Sequence, residues 1–271
     1  MAGRQDNRAS FWGDLFQRWA RPNSPQSPTP SRRRPREPGR RVYAVGDIHG
    51  RLDLLVTLEG LIRRDLAGAP PAHSCLVFLG DYVDRGPASR EVIDHLLERP
   101  PLCNEQVFLR GNHEQVLLDV LSSANRLEEW VSFGGMETLA SYGIKPRLSL
   151  GAEAAADVQR EFAARFPAPH LAFLNATRLT FETPNHFFVH AGIDPRRSLE
   201  QQRPSDLMWI REPFLASTKQ YPKIIVHGHT PVRRAEIHPN RINIDTGAFV
   251  TGRLTCAVID DTACRFLHTI G

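Results

Sequence analysis

The chain has 271 residues, of which 41% are hydrophobic, enough to bury one substantial core or two small ones. Its formal net charge is +4, but residues 1–41 hold the excess of arginine over acidic residues, so the remainder is slightly acidic. A domain of that charge lacks the basic surface that gripping nucleic acid requires, and we expect no nucleic-acid partner.

The first 40 residues are predicted to form an extension outside the folded domain, which we place at residues 41–271. Residues 22–39 are rich in proline, serine and arginine, a composition that cannot bury a core, so we expect a disordered linker. Ahead of the linker, five apolar side chains share one face of a helix: Phe11, Trp12, Leu15, Phe16 and Trp19. Such a short amphipathic helix at residues 10–20 could dock on a partner or an anionic membrane surface, or have no role of its own.

The targeting and cysteine patterns favour the cytoplasm. The N-terminal residues lack the charged-then-apolar order of a signal peptide, since Asp6 and Asp14 interrupt it. No apolar run approaches the roughly 20 residues that span a bilayer. The four cysteines form no CxxC pair and lie in or beside apolar runs, which is typical of reduced thiols in a reducing compartment.

After residue 40 the chain alternates between apolar strand patterns and amphipathic helical patterns. Strands are predicted at 41–46, 74–80 and 104–111, and helices at 51–66, 89–99 and 114–123. Residues 125–180 are mostly helical in pattern, with breaks at 134–135 and 142–143. Strands return at 185–192, 223–229, 242–249 and 255–261. This order favours an α/β fold with a mainly parallel sheet covered by helices.

Several of these strands share an unusual ending, in which an apolar run and a tight glycine turn adjoin metal-binding or charged residues. Five such segments supply Asp47, His49, Asp81, Asp84, Arg85, Asn112, His113, His190 and His229. One segment alone is more often a turn with a capping aspartate, but five in register are not explained by capping. Because strand ends of an open α/β sheet gather polar groups at one edge, these oxygen and imidazole donors predict a dinuclear divalent metal site.

The segments GDIHG, GDYVDRG, LRGNHE, HAG and GHT resemble the signature of the phosphoprotein phosphatase family, a branch of the calcineurin-like metallophosphoesterases. The chain looks most like the small bacterial and phage Ser/Thr protein phosphatases of that family, over residues 41–260. The resemblance implies an α/β sandwich of two mixed sheets flanked by helices. It also implies hydrolysis of phosphoserine and phosphothreonine in proteins, with phosphotyrosine as a further substrate.

Carried over by position, the resemblance implies two divalent cations, with manganese favoured and iron, zinc or cobalt compatible. Asp47, His49 and Asp81 would hold one cation, and Asp81 would bridge to a second. The second cation would be completed by Asn112, His190 and His229. The wider superfamily often has GHxH at the last motif, whereas this chain has Pro231 in place of the second histidine. His227 is expected to be a strand residue.

The same resemblance implies direct attack by a metal-bridging hydroxide, without a covalent phosphoenzyme. His113 would protonate the leaving alkoxide, and Asp84 would hold its imidazole. Arg85 and Arg211 would bind the phosphoryl oxygens, since a guanidinium offers paired donors and stays charged. Arg110 and Glu114 are expected to steady the turn. The histidines at 95, 170 and 186 have no motif context and are expected to be structural or solvated.

Two other functions remain open from the sequence. A symmetrical dinucleoside tetraphosphate hydrolase shares the metal-binding residues, but such enzymes resemble the motifs with Asp84 replaced and GNHD in place of GNHE. The presence of Asp84 and Glu114 therefore favours phosphoprotein substrates. A non-catalytic scaffold is disfavoured because every expected ligand is present. The sequence does not indicate an oligomeric state.

Overall fold

The computed structural model describes residues 39–145, 152–260 and 263–270. The predicted amphipathic helix at 10–20 lies outside the described residues, as do residues 22–38 of the predicted linker. Among the described residues, no helix combines the length and apolar character needed to cross a membrane.

Strands in the described part of the chain form two five-stranded sheets. They are β1 (Arg40–Val45), β2 (His73–Phe78), β3 (Glu105–Phe108), β4 (Thr180–Glu182), β5 (His186–Val189), β6 (Ile224–His227), β7 (Glu236–Ile237), β8 (Arg241–Asn243), β9 (Thr255–Asp260) and β10 (Ala263–His268). The first sheet has the order β10-β9-β1-β2-β3 and the second the order β4-β5-β6-β8-β7. In the first sheet β1, β2 and β3 pair in parallel, and β9 pairs antiparallel with both β1 and β10. In the second sheet β5, β6 and β8 pair in parallel and the edge strands β4 and β7 pair antiparallel, so both sheets are mixed.

Helices flank the sheets. They are α1 (Leu52–Gly68), α2 (Ser89–Glu98), α3 (Asn112–Ser122), α4 (Leu127–Trp130), α5 (Met136–Ser141), α6 (Ala152–Arg165), α7 (Ala168–Ala176), α8 (Pro204–Trp209) and α9 (Ala248–Thr251). A wide helical turn, Val131–Gly135, joins α4 to α5, and Gly134 interrupts it with φ 122°. The mostly helical pattern predicted for residues 125–180, with a break at 134–135, is therefore confirmed over the residues described.

The core lies on both faces of the first sheet. Along β1, Val42 and Ala44 belong to the apolar cluster between the two sheets, whereas Tyr43 and Val45 belong to the cluster under the helices. Because both faces are buried, these strands are apolar throughout rather than alternating with polar residues. The predicted sandwich of two mixed sheets is confirmed, and the prediction of one mainly parallel sheet is wrong.

One predicted strand is much shorter than expected. The pattern at 242–249 predicts eight strand residues, but β8 ends at Asn243 and the chain then turns into α9. The turn is fixed by Asp245, whose side chain accepts a hydrogen bond of 2.9 Å from the backbone of Gly247. Gly247, immediately before α9, has φ 64°, a left-handed conformation that glycine adopts without strain.

Candidate metal centre

The turns that follow the strands carry backbone strain at the predicted site residues. Within the described ranges, the non-glycine residues with positive φ are His49, Asp81, Asp84, Arg85 and His229. All five were singled out from the sequence, and their φ values of 47° to 73° lie in the left-handed region that side chains disfavour. Such conformations persist only where surrounding contacts determine them, and they cluster at functional sites.

Two glycines let neighbouring turns approach each other closely. A Cβ on Gly80 would lie 2.4 Å from the backbone nitrogen of Gly111, and a Cβ on Gly111 would lie 2.0 Å from Oδ1 of Asp81. Neither position has room for a side chain. The glycines therefore place the turn after β2, which carries Asp81, directly against the start of α3, which carries Asn112 and His113.

His49 directs a lone pair into the centre. Its Nδ1 lies 2.9 Å from the carbonyl oxygen of Val83, which can only accept, so Nδ1 carries the proton. The other ring nitrogen, Nε2, lies 3.5 Å from Oδ2 of Asp81 and accepts from the guanidinium of Arg85 at 2.8 Å. Burial, followed by the charge of Arg85, lowers the pKa of His49 well below its usual value, so the ring is neutral.

His190 is oriented in the same way from the second sheet. Its Nδ1 donates to the carbonyl oxygen of Leu79 at 2.9 Å, and burial lowers its pKa to about 4. The lone pair on Nε2 therefore faces two oxygens, Asp81 Oδ1 at 3.4 Å and Asn112 Oδ1 at 2.9 Å. Nδ1 of His229 approaches the same amide oxygen to 2.9 Å. Several electron donors converge here, as they do around a cation.

Asp47 and Asp245 form a pair of buried carboxyl groups beside this cluster. Each is 2% exposed, and their side chains hydrogen-bond to each other. Asp47 also accepts from the backbone nitrogen of His229 at 3.1 and 3.3 Å. Burial raises the pKa of both residues, and the charge of Asp245 raises that of Asp47 further. Burial also raises the pKa of Asp81, to about 8.

Asp245 was missed in the sequence although its signal was present. It lies at the end of a strand pattern and precedes a glycine by two residues, in the segment INIDTGA, as His190 does. The pattern at 242–249 predicts a strand throughout and so does not indicate the turn at Asp245. The structure adds this third carboxylate to Asp47 and Asp81.

His113 and Asp84 form a buried pair. Nδ1 of His113 lies 2.6 Å from Oδ2 of Asp84, and Nε2 lies 3.8 Å from Oδ2 of Asp81. Asp84 is fixed by two more donors, the indole of Trp130 at 2.8 Å and the hydroxyl of Thr138 at 2.6 Å. Burial raises the pKa of Asp84 to about 7 and lowers the pKa of His113. Both pKa shifts favour a pair that carries no net charge. Such a pair keeps a proton on Nε2, whether the second proton is on the carboxyl or on the ring.

The two predicted phosphate-binding arginines lie at different depths. Arg85 is partly buried, and its guanidinium lies over the ring of Phe249 at 4.8 Å. Arg211 is exposed and follows α8. Its positive charge nevertheless acts on the centre. After burial and the neighbouring His190, Arg211 contributes to the lowered pKa of His229. Both arginines therefore act on the same group of site residues, Arg85 through its contact with His49 and Arg211 through its charge near His229.

Glu114 holds the turns together, as its position in the motif predicted. Its buried carboxyl group accepts from the backbone nitrogens of Asp81 at 2.8 Å, Tyr82 at 2.8 Å and Gly111 at 2.9 Å. Arg110 spans outward instead and donates to Thr177 and to two carbonyl oxygens of the 174–175 segment. Three histidines outside the site have structural contacts: His227 lies edge-on to Phe214 at 5.0 Å, His170 hydrogen-bonds to Tyr142 at 2.8 Å, and His95 to Glu59 at 2.9 Å.

Replacing Glu114 with alanine should strongly destabilise the fold. Three buried amides would lose their acceptor, and each buried unpaired donor costs about 1–3 kcal/mol, so we expect the free energy of unfolding to fall by about 3 kcal/mol or more. Urea unfolding followed by circular dichroism measures this change. Glu98→Ala, at an exposed position of α2, is the control and should change stability by less than about 0.5 kcal/mol. A similar small change for Glu114→Ala would contradict the bracing role.

The donor set fits divalent cations. Two groups of buried side chains have ligand atoms within 4.8 Å of one another, one formed by His49, Asp81 and His113 and the other by Asp81, His190 and His229. Carboxylates, neutral imidazoles and an amide oxygen suit hard or intermediate divalent ions. Cations would also offset the cost of placing three carboxyl groups together in the interior. The two groups share Asp81, which is the arrangement expected of two neighbouring ions.

Fold and site together define a class of protein, and comparison with known proteins agrees. Residues 40–253 match the model of the calcineurin-like phosphoesterase family. The match covers most of the chain, and the chain belongs to this family of metallophosphoesterases, whose members imply a dinuclear divalent metal centre.

The chain is also similar to individual members of known function and to a solved structure. The chain is 32% identical over 225 residues to serine/threonine-protein phosphatase 1 of Salmonella typhimurium, across 81% of this chain and 92% of that protein. It is 26% identical over 226 residues to an asymmetrical bis(5'-nucleosyl)-tetraphosphatase, PrpE, of Anoxybacillus flavithermus, across 78% of this chain and 87% of that protein. The crystal structure of a candidate diadenosine tetraphosphatase has the same fold, with a TM-score of 0.58 and 22% identity over 84% of this chain and 93% of that one.

Proposed function

We propose that the chain is a phosphatase that removes phosphate from phosphoserine and phosphothreonine of proteins, with phosphotyrosine as a further substrate. The observation that carries this proposal is the buried pair of His113 and Asp84. Nε2 of that imidazole faces Asp81, the residue shared by both groups of metal donors. A proton donor aimed at the metal centre suits esters of serine and threonine, whose alkoxide leaves poorly unless it is protonated.

In this proposal two metal positions share Asp81. Asp47 and His49 complete the first, and Asn112, His190 and His229 complete the second. Divalent ions bound at these positions, with manganese favoured, would supply an activated water and would neutralise phosphoryl charge. The protein's own contribution begins with orientation, since carbonyl acceptors fix the ring nitrogens of His49 and His190 toward the centre.

His113 delivers the proton. Asp84 accepts from Nδ1 at 2.6 Å and leaves Nε2 as the nitrogen that faces the reacting groups. The donors on Asp84 from Trp130 and Thr138 keep its carboxyl group in one place, so the imidazole cannot rotate away without breaking a buried contact. The pair therefore holds the transferable proton at a defined position.

Arg85 and Arg211 bind the phosphoryl oxygens. The guanidinium of Arg85 contacts Nε2 of His49 at 2.8 Å, so it lies at the inner wall of the site. Arg211 lies at the exposed margin, where a protein-bound phosphate would enter. Planar paired donors recognise the tetrahedral oxygens, and the positive charges stabilise the charge that shifts onto them during transfer.

Hydrolysis of dinucleoside polyphosphates is the second candidate. It is favoured by the likeness to PrpE over most of the chain, although that relative is described as asymmetrical whereas the sequence motifs raised the symmetrical reaction. Support for the phosphoprotein substrate comes from the presence of Asp84 and Glu114 and from the higher identity to a Ser/Thr protein phosphatase.

A substrate comparison distinguishes the two candidates. With the protein loaded with Mn²⁺, we expect kcat/KM for a phosphoserine or phosphothreonine peptide to exceed that for diadenosine tetraphosphate by at least about tenfold, or about 1.4 kcal/mol of transition-state free energy. Released phosphate and separated nucleotide products report the two reactions. Cleavage of the nucleotide alone would reverse the assignment. Failure of the metal-loaded protein to hydrolyse either substrate or p-nitrophenyl phosphate would favour a scaffold.

A further inference from the structure

Two adjacent glycines, Gly134 and Gly135, lie in the wide turn between α4 and α5. From the sequence they indicate only a break between two helices. Wide helical turns are often found at functional sites. In the structure each of the two glycines lies against a different residue that serves the site, Gly134 against Arg85 and Gly135 against Trp130.

Gly134 is in close contact with the backbone of Arg85. Its carbonyl oxygen accepts a hydrogen bond of 3.0 Å from the backbone nitrogen of Arg85. A Cβ on Gly134 would lie 2.6 Å from Cγ of Arg85 and 2.9 Å from its backbone nitrogen. Gly134 also has φ 122°, a conformation that side chains rarely adopt. A side chain therefore fits at this position only if Arg85 moves.

Arg85 depends on such contacts because its own backbone conformation is unfavourable. Arg85 has φ 70° and the preceding residue, Asp84, has φ 73°, so two successive side chains stand in the left-handed region. The backbone nitrogen of Asp84 donates to the hydroxyl groups of Ser89 and Thr138, at 2.9 Å each. The backbone nitrogen of Arg85 donates to Gly134. This last contact helps to fix the direction in which the guanidinium leaves the turn.

Gly135 provides space for the indole of Trp130. A Cβ on Gly135 would lie 2.3 Å from Cδ2 of that indole, which is fully buried. The same indole donates to Oδ2 of Asp84 at 2.8 Å, and Asp84 in turn lies 2.6 Å from Nδ1 of His113. Gly135 has an ordinary helical φ of −69°, so glycine is required here for space and not for conformation.

We propose that Gly134 and Gly135 are positioning residues with separate tasks. Gly134 places the phosphate-binding guanidinium of Arg85. Gly135 acts through Trp130 on the proton donor, His113. The inference rests on the proposed function, in which the guanidinium binds the phosphoryl group and the imidazole protonates the leaving group. Because these are different parts of the substrate, substitution of the two neighbouring glycines should impair different properties of the enzyme.

Gly134→Ala should weaken the binding of phosphate. With the Mn²⁺-loaded protein, we expect the inhibition constant of inorganic phosphate to rise about tenfold or more, because a misplacement of about 1 Å in a positioning contact can cost up to about 100-fold. The value of kcat/KM should fall by similar factors for p-nitrophenyl phosphate and for a phosphoserine peptide, because both carry the same phosphoryl group. Steady-state kinetics with inorganic phosphate as the competing ligand measure both quantities.

Gly135→Ala should leave the inhibition constant of inorganic phosphate unchanged and impair proton donation instead. We expect kcat on the phosphoserine peptide to fall about tenfold or more, part of the 10²–10⁴-fold that general acid catalysis contributes. The loss on p-nitrophenyl phosphate should be smaller, because its leaving group needs no proton. A protein that merely folded less well would lose kcat on both esters equally, so the preference between esters reports positioning.

Gly143→Ala is the matched control for backbone strain. Gly143 also has a positive φ, 76°, but a Cβ there would meet only the guanidinium end of Arg165, at 3.5 Å. This variant should change neither the inhibition constant of phosphate nor the preference between esters.

Combining Gly134→Ala with Arg85→Ala tests whether the glycine acts through the arginine. Arg85→Ala removes Cγ, the atom that a methyl group on Gly134 would approach most closely. The second substitution should therefore cause no further loss of phosphate binding and a smaller loss of thermal stability than it causes alone. Trp130→Phe, with its smaller ring, serves in the same way for Gly135→Ala.

The outcomes separate this inference from the proposed function. If wild type hydrolyses neither ester, the proposed function fails and the two tasks fail with it. If Arg85→Ala leaves phosphate binding unchanged, the role proposed for Arg85 is wrong. If Arg85→Ala weakens phosphate binding and Gly134→Ala does not, Gly134 is not a positioning residue.

Two further results would overturn the separate tasks. One is an equal effect of Gly134→Ala and Gly135→Ala on phosphate binding and on the preference between esters. The other is a loss of the fold in a glycine variant that its combined variant, with Arg85→Ala or Trp130→Phe, does not restore, since this would show a merely structural role. Recovery of the fold in the combined variant would support the contact.

Discussion

Asp81→Asn should abolish hydrolysis of every phosphomonoester while the protein stays folded. Asp81 is the residue common to both groups of metal donors, with one carboxylate oxygen 3.5 Å from Nε2 of His49 and the other 3.4 Å from Nε2 of His190. An amide offers one weaker oxygen and turns an NH₂ group toward the second ion, so affinity at both positions should fall. Turnover of p-nitrophenyl phosphate and elemental analysis of the purified variant measure the two effects.

The fold should tolerate this change because the metal-free protein gains little from the charge of Asp81. Burial raises the pKa of Asp81 to about 8, which means that the carboxyl group is mostly protonated at neutral pH without cations. The amide can still accept from the backbone nitrogen of His113, a contact of 3.2 Å. Asp119→Asn, at a partly exposed position of α3, is the matched control and should retain both ions and full turnover. Normal metal content with normal turnover in Asp81→Asn would exclude a bridging role.

Much of this site could be predicted because its residues lie in short local patterns. Each recognised segment is an apolar strand, a glycine turn and a polar residue, and the pattern is legible without knowing the sheet order. Parallel pairing of β1, β2 and β3 then brings three turns to the same edge. The second sheet adds His190 and His229 from β5 and β6, which are also parallel neighbours.

Contacts that depend on distant segments could not be predicted in this way. Asp84 is held by Trp130 and Thr138, which are 46 and 54 residues away and follow no motif of their own. The wide turn between α4 and α5 also supports the site, since the carbonyl oxygen of Gly134 accepts from the backbone of Arg85 at 3.0 Å. These contacts are determined by how the helices at 125–180 pack. For that region the sequence pattern predicts helices but not which residues meet.

Asp245 was missed for a different reason. Residues 242–249 begin with an alternation of apolar and polar residues that is compatible with a strand, and the turn inside the segment is signalled only by Asp245 and Gly247. The same limitation applies to the short edge strands β4 and β7, whose two or three residues carry too little pattern to be recognised. Boundaries at such places are set by hydrogen bonds between segments rather than by local preference.

His113→Asn should leave metal binding intact and reduce turnover of alkyl phosphates. Its imidazole bonds to Asp84 at 2.6 Å, and asparagine cannot bring a titratable proton to the same place. General acid catalysis contributes about 10²–10⁴-fold, so kcat on a phosphoserine peptide should fall by that range. The loss on p-nitrophenyl phosphate should be much smaller, because an aryl oxide leaves without protonation. Steady-state kinetics on both substrates and elemental analysis provide the measurements.

The comparison between leaving groups distinguishes proton transfer from other roles of His113. If the imidazole only bound phosphate or helped to hold a cation, its loss would affect alkyl and aryl esters equally, because the phosphoryl group and the ions are the same in both. Trp130→Phe provides an intermediate case, since it removes one of the donors that position Asp84 while leaving His113 in place. A smaller loss of turnover, again larger for alkyl than for aryl esters, would show that Trp130 and Asp84 orient the imidazole that donates the proton. Equal losses of turnover on alkyl and aryl esters in His113→Asn would rule out His113 as the general acid.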